Sequence, residues 1–333
     1  MIALGWSSPS GLDPLLLLLV ALAVDAYVGE MSFLFRAVPH PVVLIGRAIG
    51  WFDARLNRTE RSAQARRLRG ALSVAALCLV GAALGAALTW FGRHYPMGWV
   101  VELLVAVTLV AQRSLYDHVA RVGRSLAEDG LWAGRKAVAL IVGRDPASLD
   151  ESGVARAAIE SCAENFSDGV VAPAFWYVLF GLPGLIVYKV VNTADSMIGH
   201  RNPRYEDFGK AAARFDDFLN LVPARLSGLF IVIAACFAPT AKPWTALAAM
   251  WRDAGKHRSP NAGWPEAAMA GALGLALAGP RVYASGTVND AWMGNGRSQA
   301  TADDIRRSLA LFAIACLVHW GAVAVLLAAR LKA

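Results

Sequence analysis

Four short polar segments of this chain combine carboxylate, amide and basic side chains, and each lies beside a long apolar run. The first segment contains Glu160, Glu164, Asn165 and Asp168. Carboxylate and amide oxygens are the hard ligands that Mg²⁺ prefers, usually together with phosphate oxygens of a substrate. We interpret all four residues as catalytic candidates, with Glu164 and Asp168 as metal ligands. The alternative is a solvated helix face ending in a turn, because charged side chains are mostly exposed.

The second segment follows an apolar run and contains Lys189, Asn192, Asp195 and Ser196. Lys189, Asn192 and Ser196 would share one face of a helix, since residues three and four apart are neighbours there. An ammonium group can hold a phosphate as a point charge. These three residues are therefore predicted to bind a phosphate-bearing substrate, and Asp195 is predicted to be catalytic. The alternative is a lysine that reaches from a helix end to the membrane interface.

The third segment places Arg214, Asp216, Asp217 and Arg225 around the start of another apolar run. The two aspartates could bind a cation and are predicted metal ligands. The two arginines could bind phosphate or carboxylate bidentately and are predicted substrate ligands. Membrane topology and local salt bridges would explain the same residues equally well, so both interpretations stay open.

The fourth segment is a polar loop that leads into a predicted helix. Its candidate residues are Lys256, His257, Ser259, Asn261 and Glu266. Backbone amides at a helix start favour anions, so four of these residues are predicted to bind ATP or a substrate. The fifth, His257, is predicted to be catalytic, although a lone histidine is usually structural.

The composition indicates an integral membrane protein. Of the 333 residues, 56% are hydrophobic and 17% are charged, whereas soluble domains are nearer a quarter charged. Apolar runs occur throughout, which favours a single membrane domain over residues 1–333. The net charge of +7 could suggest nucleic acid. Because the basic residues crowd one loop between apolar runs, membrane topology explains them without a nucleic-acid partner. The four cysteines are isolated, so neither a zinc site nor a disulfide framework is predicted.

The elements that must position the polar segments are helices of membrane-spanning length, about 20 residues each. The candidate spans are Leu12–Leu34, Gly70–Phe91, Gly98–Ala111, Val170–Val191, Leu219–Ala238, Ala267–Ala278 and Ser308–Leu331. The first, second, fifth and last match this length best, whereas Gly98–Ala111 and Ala267–Ala278 are short. Val170–Val191 contains Pro173, Gly181 and Pro183, a pattern typical of a broken or re-entrant segment. We therefore predict an all-α fold, a polytopic helical bundle with broken or re-entrant segments.

The orientation of the chain follows from its arginines. Residues 36–69 hold eight arginines against two acidic residues, so the positive-inside rule predicts that this loop is cytoplasmic. Arg93–Met97 would then be external, and the polar segment 112–169 would form a cytoplasmic helical insertion. Within it, Ser148 and Glu151 are interpreted as a capping box that begins a helix.

In order along the chain, these segments resemble the adenosylcobinamide-phosphate synthase family of cobalamin biosynthesis, over about residues 24 to 283. The matching stretches are Asp25-x-x-x-Gly29, His40-Pro41-Val42, Gly143-Arg144-Asp145, Glu160-Ser-x-Ala-Glu-Asn-x-x-Asp-Gly-Val-Val-Ala-Pro173, Tyr188-Lys-x-x-Asn-Thr-x-Asp-Ser-Met197, Arg214-x-Asp-Asp217, Asn220-x-x-Pro-Ala-Arg225 and Lys256-His-x-Ser-Pro-Asn-Ala-Gly-Trp-Pro-Glu-Ala-Ala-Met-Ala-Gly271. One departure is Glu30-Met31, where the family usually has Asp-Pro.

The resemblance implies an inner-membrane, multi-pass enzyme of the vitamin B12 pathway with a cytoplasmic active site. Such an enzyme would use ATP and Mg²⁺ to join adenosylcobyric acid to aminopropanol or its phosphate, forming the amide of adenosylcobinamide or its phosphate. Arg144 becomes a further candidate for substrate or ATP binding, and later-pathway membrane enzymes become possible partners. The alternative is a transporter or sensor that uses the same residues as a midplane site, but two halves with corresponding broken helices are not visible in the sequence.

Overall fold

Helices make up most of the part of the chain that the structure describes. This computed structural model describes residues 12–29, 35, 39–143, 146–283 and 286–332. The helices are α1 (Pro14–Val28), α2 (Pro41–Leu56), α3 (Ala63–His94), α4 (Trp99–Leu109), α5 (Gln112–Glu128), α6 (Gly130–Val138), α7 (Glu151–Phe166), α8 (Ala172–Ile198), α9 (Lys210–Leu219), α10 (Leu221–Ala235), α11 (Pro243–Asp253), α12 (Gly263–Leu273) and α13 (Ala302–Lys332). The predicted class, an all-α polytopic membrane protein, is confirmed.

Several helical stretches are long and apolar enough to cross a bilayer. In the described part of the chain these are Ala63–His94, Trp99–Glu128, Glu151–Ile198 and Ala302–Lys332, with a fifth if α9 and α10 are counted as one span. The first predicted span is described only as α1, which has 15 residues. Its length of about 22 Å is less than the ~30 Å thickness of the hydrocarbon core. Residues 30–34 of that predicted span lie outside the described residues.

The first of two compact units contains the described residues up to 111, residues 172–220 and residues from 323 onward. Within it, α3 packs along α8, and a Cβ placed on Gly85 would lie 2.6 Å from the Cα of Pro183. α8 is broken at Gly181, whose φ of 67° and ψ of −154° are adopted almost only by glycine. Pro183 adds to the break because it has no amide hydrogen to donate. The predicted break in Val170–Val191 is therefore confirmed.

The second unit contains residues 112–171 and 221–322. Within segment 112–169, helices α5, α6 and α7 pack on one another. The apolar residues of α5 that recur at helical spacing, Leu115, Val119 and Val122, are buried in the core of this unit. A single π-helical turn, Ser167–Val171, follows α7.

The residue that caps α7 differs from the prediction. The Asp150 carboxylate accepts a hydrogen bond from the Gly153 amide at 2.7 Å, so Asp150 is the N-cap. Ser148 instead ends a short 3₁₀ turn, Pro146–Ser148, two residues earlier. The predicted Ser148–Glu151 capping box is therefore wrong. Aspartate caps helices at least as well as serine, so its position directly before the helix decides the outcome.

The predicted span Ala267–Ala278 is also wrong. α12 ends at Leu273, because Gly274 adopts the left-handed conformation typical of a helix C-terminus. With 11 residues, α12 is about 16 Å long and too short to cross a bilayer. The chain continues into an antiparallel hairpin of β1 (Leu277–Tyr283) and β2 (Gly286–Met293), with Leu277 opposite Met293. This hairpin was not predicted.

Candidate functional site

The predicted site residues are distributed over both units, and each unit is described separately. In the first unit, the last turns of α8 lie beside α9, and buried hydrogen bonds join the two helices. The Tyr188 hydroxyl lies 3.0 Å from the Asn220 side-chain oxygen. Asn220 donates from its amide nitrogen to Asp216 Oδ2 at 3.0 Å, and Asn192 donates to Asp216 Oδ1 at 3.4 Å. Two of the predicted segments are thereby brought together.

The carboxylates of Asp195, Asp216 and Asp217 form an acidic cluster in this unit, close enough that the negative charge of each acts on a neighbour. Asp216 is buried, whereas Asp195 and Asp217 are half-buried. Because both Asp216 oxygens accept amide hydrogens, Asp216 organises the cluster, and its two neighbours have the more accessible carboxylates. We call these three residues the acidic cluster.

The remaining candidates of the first unit have different surroundings. Lys189 is half-buried on α8, and Arg214 is exposed on α9. The Ser196 hydroxyl donates to the Asn192 carbonyl oxygen at 2.9 Å within the helix. Its hydroxyl hydrogen is therefore engaged by the backbone, while its oxygen can still accept.

In the second unit, the acids of α7 differ in environment. Glu160 is 6% exposed, and its Oε1 accepts a hydrogen bond from the Ala278 amide of β1 at 2.8 Å. Glu164 and Asn165 are exposed, and Asp168 is half-buried in the π-helical turn. Asn165 donates to the Ser161 carbonyl oxygen at 2.9 Å. The hydrogen bond from Ala278 gives Glu160 a structural contact with the hairpin. Of the three acids, Glu164 has the most accessible carboxylate.

The predicted binding loop between α11 and α12 is held by Asp253, a buried residue at the end of α11. The Asp253 carboxylate forms salt bridges with Lys256 Nζ at 2.7 Å and with Arg252 at 2.5 Å. It also accepts a hydrogen bond from the Gly294 amide, just after β2, at 2.9 Å. Burial raises the pKa of Asp253, but the hydrogen bonds from Arg252, Lys256 and Gly294 outweigh it and hold the pKa below its usual value. Lys256 is therefore fixed by a carboxylate rather than projecting freely.

His257 and Glu266 form a pair at the other side of this loop. His257 Nε2 lies 3.7 Å from Glu266 Oε1, and Glu266 is 2% exposed. The Ser259 amide donates to His257 Nδ1 at 3.0 Å. A ring nitrogen that accepts this bond carries no hydrogen, so the hydrogen of the neutral ring lies on Nε2, facing Glu266. This arrangement favours the tautomer of His257 that carries its hydrogen on Nε2.

Arg225 and Asn261 are brought together near the start of α12. The Arg225 guanidinium lies 4.6 Å from the centre of the Trp264 ring and donates to Asn261 Oδ1 at 3.2 Å. The Ser259 hydroxyl oxygen accepts hydrogen bonds from the amides of Asn261 and Ala262. The Ser259 hydroxyl therefore stabilises the conformation of the loop.

Sequence reasoning missed the organising residues. The sequence marks Asp253 and Asn220 as polar residues of two of these segments and Tyr188 as part of a matching stretch, yet none of the three was assigned a site role. The contacts of Tyr188 with Asn220 and of Asp253 with Gly294 are distant in sequence, so no local pattern reveals them. The one available signal was an acidic or amide residue at a helix end. Arg144 lies outside the described residues. Among the residues that the structure describes, no group of three or more His, Cys, Asp or Glu side chains is arranged to hold a metal ion.

The fold defines a class: a multi-pass helical membrane protein that carries clusters of acidic, amide and basic side chains. The family model described as CobD/Cbib protein matches residues 18–312. The chain therefore belongs to the CobD/Cbib family.

Curated relatives agree with this assignment. A protein named cobalamin biosynthesis protein CobD from Sinorhizobium sp. is 52% identical over 321 residues, which is 93% of this chain and 97% of the relative. Proteins of the same name from Rhizobium meliloti (strain 1021) and Rhodobacter capsulatus are 50% and 48% identical, covering 91% and 89% of this chain and 94% and 92% of the relatives. No solved structure matches the chain significantly.

Proposed function

We propose that this protein is an ATP-dependent amide ligase that joins adenosylcobyric acid to aminopropanol or its phosphate. Its place is in cobalamin biosynthesis, since it belongs to the CobD/Cbib family and its relatives are named for that pathway. The observation that carries the proposed chemistry is the loop between α11 and α12. There a basic side chain, Lys256, and an imidazole, His257, are each held by a buried carboxylate.

The first step of this reaction would activate the acid. A carboxylate oxygen of adenosylcobyric acid attacks the γ-phosphorus of ATP, the bond between that phosphorus and the ADP oxygen breaks, and an acyl phosphate and ADP form. Negative charge on the phosphoryl oxygens must be stabilised by cations that are already in place. Lys189 and Arg214 of the first unit, and Lys256 and Arg225 of the second, are the candidates for this role.

The second step would form the amide. The amine of aminopropanol attacks the acyl carbon, the carbon–oxygen bond to phosphate breaks, and inorganic phosphate leaves. The amine must lose a proton, which requires a base. His257 is the candidate: its Nδ1 would take the proton once it is released from the hydrogen bond that the Ser259 amide donates, and Glu266 would hold the ring through Nε2 and stabilise the positive charge that it gains.

The chemistry of the acidic cluster suits Mg²⁺. Carboxylate and amide oxygens are its preferred protein ligands, and one or two carboxylates suffice when substrate phosphates and water complete the coordination. Asp195 and Asp217 would hold the ion while Asp216 orients the cluster. Glu164 and Asp168 of the second unit are a further candidate pair. When bound, the ion would neutralise charge on the transferred phosphoryl group.

The test is turnover by the purified protein. We expect ADP to form only when adenosylcobyric acid and an aminopropanol substrate are both present, with an equal amount of amide product. Lys256→Met keeps the apolar stem and removes the charge, so it should raise KM for a phosphate-bearing substrate. Lys136→Met, which removes an exposed lysine from α6, is the matched control and should leave the kinetics unchanged. ATP consumption that does not depend on both substrates would contradict the proposal.

The break in α8 favours a second candidate, a transporter for a corrinoid or a related anion. Broken helices supply binding groups at the membrane midplane in many transporters. Proteoliposomes containing the purified protein would accumulate corrinoid without nucleotide if this were the function. Accumulation that needs neither ATP nor an amine would favour transport over ligation.

A further inference from the structure

α11 has two unlike faces. Its inner face, which includes Ala246, Ala249 and Met250, is buried against the second unit. The packing against α12 is close, since a Cβ placed on Gly271 would lie 2.4 Å from the Thr245 carbonyl oxygen. This tight contact fixes the rotation of α11 about its own axis. The outer face is therefore held in one orientation.

Two of the most exposed tryptophans in the described residues lie on that outer face. Trp244 is 81% exposed and Trp251 is 68% exposed. Together with exposed Ala248 they follow the spacing of one helical face, because residues four and seven positions apart lie on the same side. Basic residues stand at both ends, Lys242 just before the helix and Arg252 in its last turn.

This combination is that of a helix lying in a membrane surface. Tryptophan is enriched at the membrane–water interface, where its ring is apolar and its N–H can reach water or a headgroup. Helices with tryptophan on one side and lysine or arginine beside it lie in the interface plane. With 11 residues, α11 is about 16 Å long and cannot cross the hydrocarbon core.

The neighbouring helix supports the same location. α10 is apolar and exposes Leu229 and Ile233 on one face, and exposed Phe237 follows its end. These residues suit contact with acyl chains. Trp244 follows Phe237 by seven residues, so the chain would leave the apolar layer shortly before α11 begins.

We propose that the outer face of α11 is seated in the interfacial layer of the bilayer, with Trp244 and Trp251 among the lipid headgroups and upper acyl chains. The partner is a phospholipid surface. Because Asp253 ends α11 and binds both Lys256 and the Gly294 amide, the contact of α11 with lipid would hold the loop between α11 and α12 at the membrane surface. The inference is independent of the reaction that the protein catalyses.

Quenching of tryptophan fluorescence by brominated lipids tests the proposal. The full-length protein is reconstituted into phosphatidylcholine vesicles with bromine at carbons 6 and 7 of the acyl chain, and into unbrominated vesicles. The variant W244F/W251F keeps an aromatic ring at both positions. The matched control is W132F, since Trp132 is 74% exposed on α6 and lies in the polar segment predicted to be cytoplasmic.

We expect the emission contributed by Trp244 and Trp251, measured as wild type minus W244F/W251F, to be lost in brominated vesicles. The emission contributed by Trp132, measured as wild type minus W132F, should be retained. Equal emission from Trp244 and Trp251 in both kinds of vesicle would overturn the proposal. A smaller oligomer for W244F/W251F, together with unquenched emission, would instead assign the face to a second copy of the chain.

Discussion

At the scale of single residues, Glu164 is the most informative of the predicted catalytic acids. It is exposed on α7, one turn after buried Glu160, whose carboxylate already accepts a backbone hydrogen bond. If Glu164 stabilises charge on a phosphoryl group, Glu164→Gln should lower kcat by about 10²-fold, the scale of one lost electrostatic contact. Steady-state ATP turnover measures this. Glu151→Gln, at the exposed start of the same helix, is the control and should turn over normally.

Near-normal turnover of Glu164→Gln at saturating Mg²⁺ would show that Glu164 has a structural role and not a catalytic one. The protein should remain monodisperse in detergent in either case, because an exposed carboxylate contributes little to stability.

Asp253 gives a prediction about pH. Its pKa is lowered in the folded protein, so its contribution to stability is present above the unfolded pKa of about 3.9 and is lost as pH falls through the lower folded value. Asp253→Asn removes the charge and leaves Arg252 and Lys256 without this acid. The midpoint of thermal unfolding should be lower for the variant at neutral pH. The difference should shrink in acid, below about pH 4.

Thermal midpoints measured in detergent between pH 3 and pH 7 check this expectation. A difference in midpoint between wild type and Asp253→Asn that stays constant across this range would show that Asp253 stabilises the fold through packing and not through its charge. Asp303→Asn, which removes an exposed carboxylate paired with Arg306, is a control and should change the midpoint little at any pH.

At the scale of secondary structure, the break in α8 depends on one glycine. The φ and ψ of Gly181 are nearly closed to other residues, with a cost of about 1–3 kcal/mol for a side chain there. Gly181→Ala should therefore lower stability or straighten α8. Gly50→Ala is a suitable control, since a Cβ at helical Gly50 would meet no atom within 4 Å, and it should be neutral or slightly stabilising.

The thermal midpoint and the sensitivity of α8 to limited proteolysis would report the outcome. Equal midpoints and equal cleavage for the two alanine variants would contradict the assigned role of Gly181.

The sequence could predict elements where a local pattern decides the structure. Most of the described apolar runs are helical, although the run Ala267–Ala278 leaves its helix at Gly274, and Gly181 with Pro183 marked the break in α8. It could not predict the hairpin, because β1 and β2 carry glycines and weak alternation, and their pairing is stabilised from elsewhere by Glu160. It could not predict the role of Asp253 either, since Gly294 lies 41 residues away. Within the site, the sequence indicated which types of residue are present, but it did not indicate which distant residues they contact.

At the scale of the whole molecule, topology is the main open prediction. The arginines of residues 36–69 are not all surface charges, since buried Arg66 donates to Asn57 Oδ1 at 2.9 Å and to backbone carbonyls. The remaining basic residues still favour a cytoplasmic loop. We therefore expect a cysteine at position 61 to react with an impermeant maleimide only after the cells are opened, and a cysteine at position 94 to react in intact cells.

The background for this labelling is Cys236→Ser, because Cys236 is the exposed native cysteine among the four. Labelling of position 61 from outside intact cells would reverse the orientation of the chain.

The hydrogen bond between Glu160 and Ala278 has a consequence for synthesis. The two residues are 118 positions apart, and residues 172–220, which belong to the first unit, lie between them in the chain. At the usual translation rate of about 5–20 residues per second, the ribosome needs roughly 6–24 seconds to add that stretch. During this interval α7 is already made, while the strand amide that its carboxylate will meet has not yet been polymerised. The contact between α7 and β1 can therefore form only after residues 172–220 of the first unit have been synthesised.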